Sequence, residues 1–271
     1  MIHYLSKPAR TIGYALALAL APVPALYAQT NDEARLTLGI AAGYIGSNSL
    51  WEIPNQPVFS FTNEPVLFHL RRELRSDITI SGHATYFSNA HFGVTGEFTY
   101  LGLGKSDGCT IVNDRGDAVL RAVCDAIVGT RGSTSIVVIH GGGVYRPLSR
   151  AALQPYFKGT VGFAFTPSST IALNSIYGAI VDTPLVMTIY TDPNWKSIRP
   201  SWTLGFGIST APSSGYQIHV EARETWFSLG AVTEPTSSQG FTPASRSVVK
   251  GFPSILIGFD VVLAKQRGRR Y

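Results

Sequence analysis

The connections between strand-like segments alternate in length, short then long, and this constrains the fold more than any other feature of the chain. Segments of alternating apolar and polar residues are joined by short connections at 88–91, 147–153 and 211–215, and by long ones at 104–133, 166–198 and 229–250. Antiparallel strands joined in succession place consecutive connections at opposite ends of a sheet. Two classes of connection therefore imply two ends that face different surroundings.

The N-terminus indicates the compartment. Lys7 and Arg10 precede the apolar run TIGYALALALA and then PVPALYA. A basic start, an apolar stretch and a small residue at the cut describe a secretory signal peptide over 1–28, cleaved after Ala28, although Leu26 is larger than usual at the third position before the cut. A membrane-anchor helix needs about 20 apolar residues, and Pro22 and Pro24 end this run earlier. No later run suits a spanning helix, so any crossing after residue 28 must use strands. Losing Lys7 and Arg10 takes the formal charge from +5 to +3. That excess is too small to imply a nucleic-acid partner. No linker, repeat or composition break divides 29–271, which is expected to form one domain.

Alternate side chains of a strand face opposite sides, so parity sorts each segment into two faces. In 91–103, Phe92, Val94, Phe98 and Tyr100 oppose Thr95, Glu97 and Thr99. In 154–165, Phe157, Val161 and Phe163 oppose Tyr156, Lys158 and Thr160. In 216–227, Ile218 and Val220 oppose His219, Glu221 and Arg223, and in 251–263, Ile255, Ile257 and Phe259 oppose Ser254 and Asp260. Segments 34–44 and 199–210 follow the same rule, with Arg35 and Thr37 on the polar face of the first. Both faces of 134–146 are apolar, and His140 and Arg146 mark its even face as the wet one. From Val66 to Tyr86 the parity never breaks. This predicts one tall strand that rises above a bilayer, or else a separate element over 66–73.

The count is then eight strands, with both termini at the short-turn end. One end carries Tyr44, Tyr100, Phe165, Trp202, Trp226 and Phe252; the other carries Tyr86, Phe92, Tyr145, Phe157 and Tyr216. Two aromatic girdles suit the two interfaces of a membrane. The expected fold is all-β: an eight-stranded antiparallel transmembrane β-barrel with four long extracellular loops and three short periplasmic turns. The stretches 175–190 and 58–61 are also strand-like and leave ten strands open.

The loop alternation, the segments HFGVTGEFTYLGL and RPSWTLGFGIST, and the last strand GFPSILIGFDVVL resemble the small eight-stranded outer-membrane barrels of the OmpA/OmpX type. The resemblance spans 34–263 and is one of pattern. Members of that group commonly end on an aromatic in the last strand, whereas this chain continues through AKQRGRR to Tyr271. That tail is too short for a peptidoglycan-binding domain. The resemblance implies an outer-membrane location, with membrane lipid and lipopolysaccharide as surroundings, and a monomer.

Eight strands enclose an interior that side chains fill. Arg35, Glu97, Lys158, Glu221, Arg223 and Asp260 are expected inside, with His83, His140 and His219. Buried charges need partners, and the balance of signs favours an ion-pair plug over a narrow pore. A metal site from the three histidines is geometrically allowed, but nothing in their spacing demands it, so no metal or cofactor is expected. Cys109 and Cys124 share one long loop, around a segment with helical spacing from Asp117 to Gly129. In an exported protein they are expected to form a disulfide.

FSNAHFG at 87–93 faintly resembles the HxSNA stretch of lipid A deacylases, but Tyr86 stands where that family has His. A Ser-Asn turn is the simpler reading. In HVEAR, His219 and Glu221 share a face without a serine at a recognisable spacing. The expectation is a non-enzymatic barrel whose loops serve an envelope or recognition role, where extracellular ligands would bind. A pore and a lipid-modifying enzyme are the alternatives.

Overall fold

The computed structural model describes residues 32–58, 65–114, 116–129, 131–166, 173–179, 184–190, 197–210, 215–235 and 244–267. The leader expected at 1–28 lies outside them. The described elements are, in chain order, β1 (Asp32–Ile45), β2 (Asn48–Val58), β3 (Val66–Arg75), β4 (Asp77–Phe87), β5 (Phe92–Ile111), α1 (Ala118–Gly129), β6 (Arg131–Tyr145), β7 (Leu153–Phe165), β8 (Leu173–Ala179), β9 (Pro184–Tyr190), β10 (Ile198–Thr210), β11 (Tyr216–Val232) and β12 (Ser245–Arg267).

Eight of these strands close a ring. Pairing runs antiparallel from β1 to β4, β5, β6, β7, β10, β11 and β12, and β12 returns to β1. A closed ring has no open edge, so every strand of it can satisfy its backbone groups without water. β8 and β9 form a separate two-stranded sheet, so the described strands within 175–190 do not join the ring. Of the stretch 58–61, Val58 ends β2 and the rest lies outside the described residues. β5, β11 and β12 run on past the expected strand ends, to Ile111, to Val232 and from Ser245.

The barrel is inverted relative to a soluble protein. Ile40 (69% exposed), Val161 (68%) and Ile257 (64%) point outward with many other large apolar residues, while Thr95, Glu97, Lys158 and Thr203 are buried within. A monomer in water rarely exposes contiguous apolar patches larger than a few hundred Å², so this belt is built for lipid. Trp202 stacks on Trp226 at the long-loop end, and Phe92 packs on Tyr145 at the short-turn end. Phe252 corrects the expected girdle: it is fully buried and stacks on Phe227 at 4.9 Å inside the barrel.

The expected tall strand over 66–86 is broken at Ser76 into β3 and β4, which pair with successive stretches of β5. In β3 the even residues Val66, Phe68, Leu70 and Leu74 are buried; in β4 the even residues Ile78 and Ile80 are exposed. Apolar side chains face lipid within the bilayer. Above it there is no lipid, and they must turn inward. The β2–β3 hairpin does this, and its side chains join Leu101, Leu103, Ile136, Val138, Phe227 and Phe252 in one apolar cluster over the barrel mouth.

α1 completes this cap. The Asp117 carboxylate accepts hydrogen bonds from the backbone N–H groups of Val119 and Leu120, which caps the helix N-terminus. Leu120, Val123 and Ile127 face the cluster. Cys109 on β5 and Cys124 on α1 form a disulfide with 5.4 Å between their Cα atoms. Before the helix, Asp114 accepts from Arg121 of α1 and from the Gly116 N–H. These bonds hold the Asp114 carboxyl below its usual range. Replacing both cysteines by serine is expected to cost about 3 kcal/mol of order in this loop. Limited proteolysis should then cut within 112–130 while the barrel keeps its resistance to detergent unfolding; an equally stable loop would contradict the cap as described.

Candidate functional site

Among the described residues, the lumen is the one place where the fold gathers chemistry-bearing side chains from most of its strands. Its middle level is an ion-pair network. Lys158 on β7 donates to Glu97 on β5 at 2.8 Å and lies 2.7 Å from Glu221 on β11. Arg223 also binds Glu97, and its second amino group donates to Thr99 at 3.3 Å. The Thr99 hydroxyl donates to Glu97 at 2.7 Å, and the Tyr156 hydroxyl donates to Glu221 at 2.9 Å. Two carboxylates thus meet two cations. The pairs cross the barrel rather than following the sheet, so they tie together strands that share no ladder.

Nearer the short-turn end lies a second group. One oxygen of Asp260 on β12 lies 2.9 Å from His83 of β4 as an ion-pair contact, and the other bonds His219 and Gln217 of β11, each at 3.1 Å. Strand register explains the meeting. Gly39 of β1 pairs with both His83 and Asp260, and Asp260 pairs in turn with Gln217. An inward-facing glycine thus separates His83 from Asp260 along one row.

His140 stands apart from the other two histidines, level with the ion-pair network. Its Nε2 meets the Ser201 hydroxyl at 2.7 Å, and its Nδ1 faces Thr203 and Thr160 at 3.3 and 3.4 Å. A serine–histidine contact can activate a nucleophile when substrate reaches it. Here Ser201 is 3% exposed and the apolar cap covers the mouth above it.

The short-turn end is occupied by Arg146. It is fully buried, stacks 4.0 Å over the Phe87 ring, and donates to the carbonyls of Ala90 and Ala34 and to Gln154. Between it and the ion pairs lies a cavity of about 50 Å³, lined by His83, Tyr156, Lys158, Glu221 and Asp260 among others. That is room for very few water molecules.

Of the residues expected inside, Glu97, Lys158, Glu221, Arg223 and Asp260 are brought into the lumen. Arg35 is not. It is exposed on the outer face and donates to the Tyr86 hydroxyl at 2.9 Å. The β1–β12 register shifts on either side of Leu36. A bulge adds a residue and resets which face each side chain takes, so Ala34 and Thr37 are both buried and Arg35 is left outside. Ser88, in the deacylase-like stretch, sits in the short turn, where its hydroxyl donates to the Phe92 carbonyl at 3.2 Å. Asn89 accepts from the N–H groups of His91 and Phe92, which builds the turn.

One buried pair goes unmentioned by the strand parity. Arg72 and Asp107 bond bidentately at 2.5 and 2.8 Å inside the cap, with the Trp51 ring 5.2 Å from the guanidinium. The signal was an arginine on the otherwise apolar even face of 66–74.

No protein-family model and no curated protein matches the chain. Among solved structures, it is similar to Neisserial surface protein A, at 9% identity over 86% of this chain and 99% of that one, with a TM-score of 0.40. It is also similar to the outer membrane protein OprG from Pseudomonas aeruginosa (10% identity, 84% and 96% covered, TM-score 0.44) and to the outer membrane enzyme PagL (10% identity, 83% and 98% covered, TM-score 0.29). At these identities no residue's role passes from one chain to another.

Removing Glu97 breaks two buried pairs and leaves Lys158 and Arg223 to share Glu221. Breaking a buried pair costs roughly 3–5 kcal/mol, so Glu97→Ala should lower the urea unfolding midpoint of the lipid-reconstituted protein by that equivalent. Arg35→Ala, on the outer face, should change stability by less than about 0.5 kcal/mol. Equal effects of the two substitutions would contradict this placement.

Proposed function

We propose that the chain is an integral outer-membrane protein with a non-conducting barrel, which acts as a monomer, without catalysis, through its long-loop end. In this reading the short turns face the periplasm, the belt sits in lipid and lipopolysaccharide, and the cap and loops serve an envelope or recognition role toward extracellular ligands. The observation that carries it is closure of the lumen at three successive levels. The cap fills the mouth with apolar side chains, the Glu97 network crosses the middle, and Arg146 occupies the far end. A conducting pore needs a continuous wet path. The long-loop end also carries a disulfide and a helix packed into a core, an investment in order that suits a surface presented to a partner.

Planar-bilayer recording of the refolded protein tests the first half of this reading. No steady ohmic openings are expected, and reproducible steady openings would overturn it. Incubation with lipid A tests the second half. No acyl chain should be released or transferred, and turnover by the purified protein would replace the recognition role with an enzymatic one.

A further inference from the structure

We propose that His83, His219 and Asp260 form a binding site for a divalent transition-metal ion of the zinc class, in the short-turn half of the lumen. The proposal goes beyond the recognition role and does not depend on it.

Three observations converge. The first is the donor set. One nitrogen from each imidazole and one carboxylate oxygen all lie within 4.8 Å of one another. Asp260 already stands 2.9 Å from His83 and 3.1 Å from His219. Atoms sharing a tetrahedral ion at bonds of about 2.0 Å lie roughly 3.3 Å apart, so small rotamer changes bring all three to a common centre. Two imidazoles and a carboxylate match the three-ligand sites in which zinc keeps a further open position. The adjoining cavity of about 50 Å³ supplies room for that position.

The second is charge. Glu97 and Glu221 are matched by Lys158 and Arg223. The described contacts of Asp260 are His83, His219 and Gln217, none of them a fixed cation. Arg146 lines the same cavity, but its described bonds go to carbonyls and to Gln154. A buried carboxylate held between two imidazoles calls for added positive charge, and a divalent ion supplies it.

The third is space. A Cβ built on Gly39 would collide with the Asp260 carboxylate and the His83 ring, and one on Gly258 would collide with the His219 ring. Both glycines face the lumen, and both leave room that a ligating side chain fills. His140 has no part in this arrangement, since it bonds Ser201 at another level.

The test uses the full-length protein, freed of metal by a chelator while unfolded and then refolded in detergent with the probe present, because the lumen closes on folding. Cobalt(II) is the probe, because its visible absorption reports imidazole ligation, and zinc added to the refolding mixture should compete with it. One cobalt per chain is expected. Asp260→Asn and His219→Gln should weaken binding by roughly tenfold or more, since even loss of an outer-shell partner costs that much. His140→Gln should bind as the wild type does. No stoichiometric cobalt binding, or equal loss in His140→Gln, overturns the proposal. X-ray absorption of the cobalt-loaded wild type requires no variant to fold: two imidazole nitrogens support the site, and a shell of oxygens alone overturns it.

Discussion

The middle of this barrel is arranged around one carboxylate. Glu97 accepts Lys158 and Arg223 from across the lumen, and through them engages Glu221 and Tyr156. A charge in such a place costs several kcal/mol unless it is paired and hydrogen-bonded. The constraint that puts it there is the lipid. A closed ring in a bilayer turns its apolar residues outward and must accept the polar ones within. Once inside, they have little room for water, so threonines, serines and ion pairs bond largely to one another. Pairing that links opposite strands also resists any widening of the lumen.

The same reasoning explains why the interior changes character along its length. Within the bilayer the apolar side of each strand is the outside. Beyond it the outside is water, and the apolar side must become the inside. The strand pair β3 and β4 makes this change at Ser76, and on β5 the inward residues pass from Thr99 to Leu101 and Leu103. The apolar cap is therefore a continuation of the barrel wall, and the disulfide fastens α1 to the edge of it.

Much of this was legible in the sequence. Joint lengths and parity located all eight ring strands, the turn at 88–91 and the helix after Asp117, while most of the turn expected at 211–215 lies outside the described residues. What parity conveys is which residues share a face. It does not say which face is wet, so the unbroken alternation over 66–86 concealed the reversal at Ser76. Nor does parity foresee a bulge, and the one at Leu36 carried Arg35 to the outer surface. In the lumen, side-chain identities were readable and their partners were not. His83 meets Asp260 because the barrel closes β12 onto β1, a neighbour relation that only the ring creates. Arg72 and Asp107 escaped notice because an ion pair within an apolar face gives each partner alone the look of an exception.

In the reading proposed above, the lumen is sealed and its polar network is shut off from both surfaces. Thiol labelling tests this most directly. Thr99 and Thr225 lie in the lumen below the cap, whereas Val112 is 54% exposed beyond it. The native cysteines form a disulfide and do not compete for the reagent. In lipid vesicles a charged maleimide should label Val112→Cys readily and leave Thr99→Cys and Thr225→Cys untouched from either side until the protein is denatured. Labelling of the two lumen positions at a rate near that of Val112→Cys would contradict a sealed barrel.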